Sequence, residues 1–148
     1  MSMNKYEEFY AYLADCLERF KEWDKSKTIR LVSHLDADGI CACSVMVKAL
    51  NTDNRKYSLS IVQTLSDEVL DDLVREPYDY YIFTDLGSGK LTSIKKKFVG
   101  REVLILDHHE PEEVHINGNV MHVNPHLFGI DGGEEVSGSG VVYLFLKD

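Results

Sequence analysis

The chain has 148 residues, 44% of them hydrophobic and 28% charged, and carries a net charge of −9 at pH 7. That balance describes one soluble domain with a real core and excludes a disordered polymer. No stretch approaches the ~20 apolar residues of a transmembrane helix, the N-terminus lacks the basic-then-apolar pattern of a signal peptide, and the acidic charge argues against extended nucleic-acid binding by this chain alone.

Taken in order, residues 4–23 are expected to form an amphipathic helix. Tyr6, Phe9, Tyr10, Leu13, Cys16, Leu17, Phe20 and Trp23 recur at three- and four-residue steps and read as a face laid on the core. A polar connector leads to a strand from Thr28 to Ser33. Asp38-Gly39 opens a helix that runs to about Leu50 and is apolar almost all round. Tyr57 to Val62 reads as a second strand. Ser66-Asp67-Glu68 starts a helix, with acids in its first turn, that stops before Pro77. A third strand spans Tyr80 to Thr84, a helix Leu91 to Phe98, a fourth strand Val103 to Leu106, and a fifth Val120 to Val123. A glycine-rich loop then leads to Ser137-Gly138-Ser139-Gly140 and a last apolar helix, Val141 to Leu146.

Strands alternating with helices imply an α/β fold: a mainly parallel five-stranded sheet with helices on both faces. Residues 4–23 form its N-terminal helix and residues 28–148 the motif-bearing core. The last helix ends without a C-cap signal, so the chain is expected to be C-terminally truncated, the N-terminal part of a longer protein. Cys16, Cys41 and Cys43 form no disulfide framework, which points to a reducing, cytoplasmic setting. Cys41 and Cys43 lie two apart on a helix, make a poor chelate, and read as small buried hydrophobes.

Three apolar strands end in acid or imidazole: His34, Asp36 and Asp38 after the first, Asp85 after the third, and Asp107, His108 and His109 after the fourth. The C-terminal edge of an open α/β sheet is where ligands bind. If the first strand continues through Asp38, alternate residues share a face, and His34, Asp36 and Asp38 stand in a row ~6.7 Å apart. Gathering four carboxylates without counter-charge is expensive, since each like-charge contact at ~4 Å costs about 4 kcal/mol at an effective dielectric near 20. Arginine is scarce at that edge, so divalent cations are the better account. Carboxylate and imidazole ligands without thiolate favour Mn²⁺ or Mg²⁺ over structural zinc. A lone strand-end Asp is more often a helix N-cap; it is the coincidence at three strand ends that points to metal. Gly39 and the helix after it are expected to offer backbone N–H groups to an anion. Ser137, Gly138 and Ser139 could do the same for a second phosphate, or form a plain N-cap.

These motifs, His34-Leu35-Asp36-Ala37-Asp38-Gly39, the isolated Asp85 and Asp107-His108-His109, resemble the first three motifs of the DHH phosphoesterase family. Within that family they are most similar to the RecJ-like exonucleases of archaea. The resemblance implies a phosphodiesterase with two divalent cations, Mn²⁺ preferred and Mg²⁺ admitted, that hydrolyses single-stranded DNA or RNA. By position, His34, Asp36 and Asp85 would hold one cation, and Asp38, Asp85 and His108 the other. His109 would face the scissile phosphate, and Asp107 would orient the imidazoles. The family carries a fourth acidic ligand downstream and a second domain that closes on substrate. Asp131 lies too early for that ligand and Asp148 is the last residue, so residues 1–148 alone are expected to be weakly active or inactive. Partners implied are single-stranded nucleic acid and replication or repair proteins, with no membrane. Two alternatives stand beside this reading. One is hydrolysis of small substrates such as nano-oligonucleotides, cyclic dinucleotides or pyrophosphate; the other is an interaction module of a replication complex with vestigial activity.

Overall fold

A computed structural model describes residues 2–147. Helix α1 (Lys5–Lys21) begins at Asn4, whose side chain accepts from the Tyr6 and Glu7 N–H groups while the Glu7 carboxylate accepts from the Asn4 N–H, a reciprocal capping box. There follow β1 (Ile29–His34), α2 (Ala37–Thr52), β2 (Tyr57–Val62), α3 (Asp67–Arg75), β3 (Tyr80–Thr84), α4 (Leu91–Lys97), β4 (Glu102–Leu106), β5 (Val120–Val123) and α5 (Gly138–Leu146). A 3₁₀ turn (Ser88–Lys90) precedes α4 and another (Pro125–Phe128) follows β5. Every expected element is present, with boundaries moved by a residue or a few.

The five strands pair in parallel throughout, in the order β2-β1-β3-β4-β5. From β1 the chain first moves outward to β2, then returns across β1 to β3 and continues the other way. The direction therefore reverses between β1 and β3, and at such a switch point the loops leaving the two strands part and open a crevice beyond their C-terminal ends. β4 and β5 are joined by residues 107–119, a connection with no helix of its own.

Strand alternation divides the core in two. On one face Ile29, Leu31, Ile82, Leu104, Leu106, Met121 and Val123 pack against α1, α2 and α5. On the other, Val32, Tyr81, Phe83, Val103, Ile105 and Val120 pack against α3 and α4. α1 buries Phe9, Leu13, Cys16 and Phe20, but Tyr6 and Tyr10 of its expected core stripe are 46% exposed. Cys16 and Cys43 are buried as expected, while Cys41 is exposed, since at helical spacing it lies on the side of α2 away from the buried Gly39, Cys43, Met46 and Leu50. Among the described residues no helix is long and apolar enough to cross a membrane.

Candidate metal centre

The switch point puts His34 at the end of β1 beside Asp85 at the end of β3, with Asp107 following the next strand, β4. Beneath them Ser33 and Thr84, both fully buried, tie β1 to β3: Thr84 Oγ1 donates to Ser33 Oγ at 2.7 Å, and Ser33 Oγ lies 2.8 Å from the Gly39 carbonyl and 3.1 Å from that of Thr84. Asp85 is 1% exposed and its backbone is left-handed, φ 60°. That conformation costs an L-residue roughly 1–2 kcal/mol, and aspartate is among the few that tolerate it. The Asp85 N–H still reaches the Leu106 carbonyl at 2.9 Å, so the β3–β4 ladder holds the strained residue in place.

Two imidazoles converge on Asp85, each with one nitrogen anchored by a backbone carbonyl. His34 Nε2 lies 3.1 Å from the Gln63 carbonyl, which leaves Nδ1 facing Asp36 Oδ2 at 3.1 Å and Asp85 Oδ2 at 3.6 Å. His108 Nδ1 lies 2.7 Å from the Gly132 carbonyl, which leaves Nε2 facing Asp85 Oδ1 at 3.1 Å and Asp38 Oδ2 at 3.2 Å. Anchoring one ring N–H on a carbonyl fixes the tautomer and turns the other nitrogen's lone pair inward, the arrangement usual for a metal-binding histidine. Among the described residues, the buried side-chain polar atoms without a hydrogen bond are His34 Nδ1, Asp85 Oδ1 and Asp85 Oδ2. A buried imidazole nitrogen and both oxygens of a buried carboxylate left without a hydrogen bond are a cost to the fold unless a cation lies among them.

The row of His34, Asp36 and Asp38 along a continued strand is not found, because β1 ends at His34. Asp36 is the N-cap of α2, accepting from the Gly39 N–H at 2.8 Å, and Asp38 lies in the first turn of that helix. Asp38 turns toward α5, where its two oxygens accept from the Gly138 N–H at 2.8 Å and the Ser139 N–H at 2.9 Å. Ser137 caps α5 through the Gly140 N–H at 3.0 Å. The N–H groups of Gly39, Gly138 and Ser139, expected to be open to an anion, therefore serve this chain's own carboxylates. α5 comes this close because Gly138 has no side chain: a Cβ there would lie 2.2 Å from Asp85 Oδ1. Gly132 is equally confined, its Cβ position falling 2.0 Å from the His108 carbonyl oxygen.

Asp107 is buried and hydrogen-bonded through both oxygens. Its Oδ1 accepts from the His108 N–H at 2.8 Å and lies 2.7 Å from His109 Nδ1, and its Oδ2 accepts from the Ser88 N–H at 3.0 Å. By distance Asp107 belongs to a ligand group with Asp85, His108 and His109, and its Oδ1 is engaged by His108 and His109. It orients the His109 ring alone; the His108 ring is set by Gly132. Beneath Asp107 runs a buried chain in which Asn124 Nδ2 donates to Ser88 Oγ and to the His109 carbonyl, each at 2.8 Å, and Ser88 Oγ lies 2.8 Å from His122 Nε2. Asp131, whose Oδ1 accepts the Gly133 N–H at 2.8 Å, forms a surface turn; Asp148 lies outside the described residues.

The charges respond to this crowding. Burial pushes the Asp85 carboxyl above its ordinary range, Asp38 and Asp36 add to the effect, and His108 opposes it. The His108 imidazole is raised to about 9, chiefly by its approach to Asp85, against the opposing effect of burial. That approach lacks the alignment of a hydrogen bond, so the raised value reports proximity to negative charge. Burial alone would raise Asp107, but the His109 imidazole together with the Ser88 and His108 N–H groups holds it at about 2. Burial pushes His122 down to about 4, so it is neutral. Metal-free, the centre retains a proton that a cation would displace.

Two sets of donors share Asp85. His34, Asp36 and Asp85 each present a ligand atom within 4.8 Å of the others, and His108 Nε2 bridges Asp85 and Asp38 at 3.1 and 3.2 Å. These residues fit divalent cations of the oxygen- and imidazole-preferring kind. Beside them a cleft of about 320 Å³ has a lining that includes His34, Asp85, His109, Glu110, Gly89 and Lys90.

Sequence reasoning missed Ser33, Thr84, Ser88, His122, Asn124 and the carbonyls of Gln63 and Gly132. His122 did carry a signal, since an imidazole between Met121 and Val123 in an interior strand needs a buried partner. The carbonyls carried none.

The profile of the DHH family, N-terminal domain, matches residues 28–148. An uncharacterized protein of Methanocaldococcus jannaschii is 38% identical over 125 residues, which cover 81% of this chain and 28% of its own. RecJ of Thermus thermophilus, in complex with Mn²⁺, superposes with a TM-score of 0.64 at 25% identity over 99% of this chain and 20% of its own. CDC45 of Entamoeba histolytica shares the fold, with a TM-score of 0.64 at 20% identity over 99% of this chain and 30% of its own. The chain thus spans less than a third of the length of each of these proteins.

Proposed function

The chain belongs to the DHH family, and on that ground we propose that it carries the metal centre of a RecJ-like phosphodiesterase acting on single-stranded DNA or RNA. The observation that carries this reading is the set of buried, unpartnered acceptors, His34 Nδ1 and both Asp85 oxygens, at the switch point of the sheet. In this reading His34, Asp36 and Asp85 hold one divalent cation, and Asp38, Asp85 and His108 hold the other, with Mn²⁺ preferred. When bound, such cations supply a water acidified toward neutral pH and offset the charge that builds on the phosphate. The residues of the chain do the positioning. The carbonyls of Gln63 and Gly132 each hold one nitrogen of a ligand imidazole and turn the other inward. Asp107 holds the His109 Nδ1 proton, so that Nε2 faces the cleft, where it can contact a phosphoryl oxygen. Asp38 is tied to the start of α5, which keeps its carboxylate from swinging out to solvent.

The test, made on the protein at the full length its gene encodes, is a substrate panel with Mn²⁺ comprising single-stranded DNA, single-stranded RNA, short oligonucleotides, a cyclic dinucleotide and pyrophosphate, run with the Asp85→Asn variant. Single strands should be shortened, and Asp85→Asn should lose more than about a hundredfold of the rate, since it removes the shared ligand. Equal rates for the two proteins would refute the assignment. The net charge of −9 favours a second reading, in which the substrates are short oligonucleotides or other small phosphoesters. A fold shared with CDC45 does not decide between catalysis and an interaction role; the ligand set favours catalysis.

A further inference from the structure

Any phosphoester chain entering this centre brings negative charge beyond the phosphate that is cut. The helix starts nearest the acids offer it little, because the Gly39 N–H serves Asp36 and the Gly138 and Ser139 N–H groups serve Asp38. The open space lies in the cleft of about 320 Å³ whose lining includes His34, Asp85, His109, Leu65, Leu86, Lys90 and the exposed Glu110. Lys90 is the one lysine or arginine among the residues lining it. Its ammonium is loosely held: it stands 3.7 Å from Asp67 Oδ1, an oxygen that already accepts from Ser93 Oγ at 2.7 Å, and both charged side chains are partly exposed. An exposed pair of that length contributes little and leaves the lysine free to turn to another anion. Next to it, a Cβ placed on the exposed Gly89 would meet nothing within 4 Å, so the cleft is open at that point of its lining.

Resting on the phosphodiesterase reading, we propose that this cleft is a subsite for the phosphate flanking the scissile one, with Lys90 as its counter-ion. The preferred substrate is then a nucleotide chain, short or long, over an isolated phosphodiester. A compact ammonium is suited to such a contact, since it neutralises a phosphate as a point charge without demanding one orientation. Leu65 and Leu86 give the cleft an apolar wall against which the intervening sugar can lie.

The test is binding of fluorescent oligothymidylate with hydrolysis-resistant phosphorothioate linkages, followed by anisotropy in Mn²⁺ over a salt series. Lys90→Ala should weaken binding roughly tenfold, as the loss of one charged hydrogen bond does. It should also reduce the slope of log K against log salt by about 0.7. Gly89→Leu, which adds bulk where the structure has room, should weaken binding without changing that slope. In hydrolysis, Lys90→Ala should lower kcat/KM for the oligonucleotide more than for bis(p-nitrophenyl) phosphate. Unchanged affinity and slope in Lys90→Ala, with oligonucleotide hydrolysis intact in the parent protein, would overturn the subsite and leave the phosphodiesterase reading standing. Lys90-dependent binding without any hydrolysis would support the subsite and remove the reaction.

Discussion

Gly138→Ala isolates the contact that closes the centre. Helix propensity alone predicts stabilisation, since alanine is favoured over glycine by up to about 1 kcal/mol. The structure predicts the opposite sign. The new Cβ would sit 2.2 Å from Asp85 Oδ1, 2.8 Å from Asp85 Cγ and 3.0 Å from Asp38 Oδ2, so something must move by about an ångström. Asp85 cannot yield readily, because its backbone is held at φ 60° and its N–H is bonded across to β4. Asp38 is fixed by the very N–H groups that the substitution displaces. Overpacking of this kind costs typically 1–3 kcal/mol. For a domain near this length, that is a fall in Tm of roughly 2–10 °C. Mn²⁺ affinity, measured by calorimetry, should fall about tenfold or more as Asp85 and Asp38 are pushed apart. Gly89→Ala, whose Cβ meets nothing within 4 Å, is the control and should leave both quantities near the parent values. A Gly138→Ala protein with raised Tm and unchanged Mn²⁺ affinity would refute the steric reasoning.

Mn²⁺ binding should strengthen with pH, because the His108 imidazole, raised to about 9 in the metal-free protein, must lose its proton to ligate. Apparent affinity should rise roughly tenfold per pH unit between about pH 6 and 8, with proton release measurable by calorimetry in buffers of different ionisation enthalpy; a pH-independent affinity would contradict it. Asp107 is depressed to about 2, so its stabilisation is complete above about pH 4 and disappears as pH falls through 2. It is worth about 2 kcal/mol at neutral pH. Asp107→Asn should lose that amount in chemical denaturation at pH 7 and show a flatter acid limb; an unchanged acid limb would refute the assignment. His122→Gln keeps an acceptor near the position of Nε2 for Ser88 Oγ, whereas His122→Leu removes it. The glutamine variant should hold kcat near the parent value, while the leucine variant lowers kcat about tenfold at unchanged Mn²⁺ affinity; equal kcat in both would show that the buried chain does not position His109.

Local chemistry made most of the fold legible. The spacing of Phe9, Leu13, Cys16 and Phe20 announces a buried helix face, and Ser66 with the acids after it announces the start of α3. The metal-ligand residues were legible for the same reason: acids and imidazoles that end apolar runs are visible without knowing where the strands lie. What was misread depended on geometry within a few residues. Carrying β1 through Asp38 put three ligands in a row, but an aspartate followed three residues later by a free N–H caps a helix more cheaply than it extends a strand, and Asp36 does so. The Ser137-Gly138-Ser139 stretch was recognisable as a helix start, yet its occupant, Asp38, lies about a hundred residues earlier in the chain.

The sequence by itself determined which residues can carry charge and at which strand ends they emerge, because side-chain chemistry and periodicity are local properties. Only the tertiary structure decided their partners. The strand order β2-β1-β3-β4-β5 makes Asp85 the meeting point of His34 and His108. The packing of α5 against α2 closes the anion site at its start, and two backbone carbonyls, Gln63 and Gly132, fix which nitrogen each imidazole presents. A carbonyl is the same group in every residue, so its role depends on where the chain places it and on no side chain that a sequence displays.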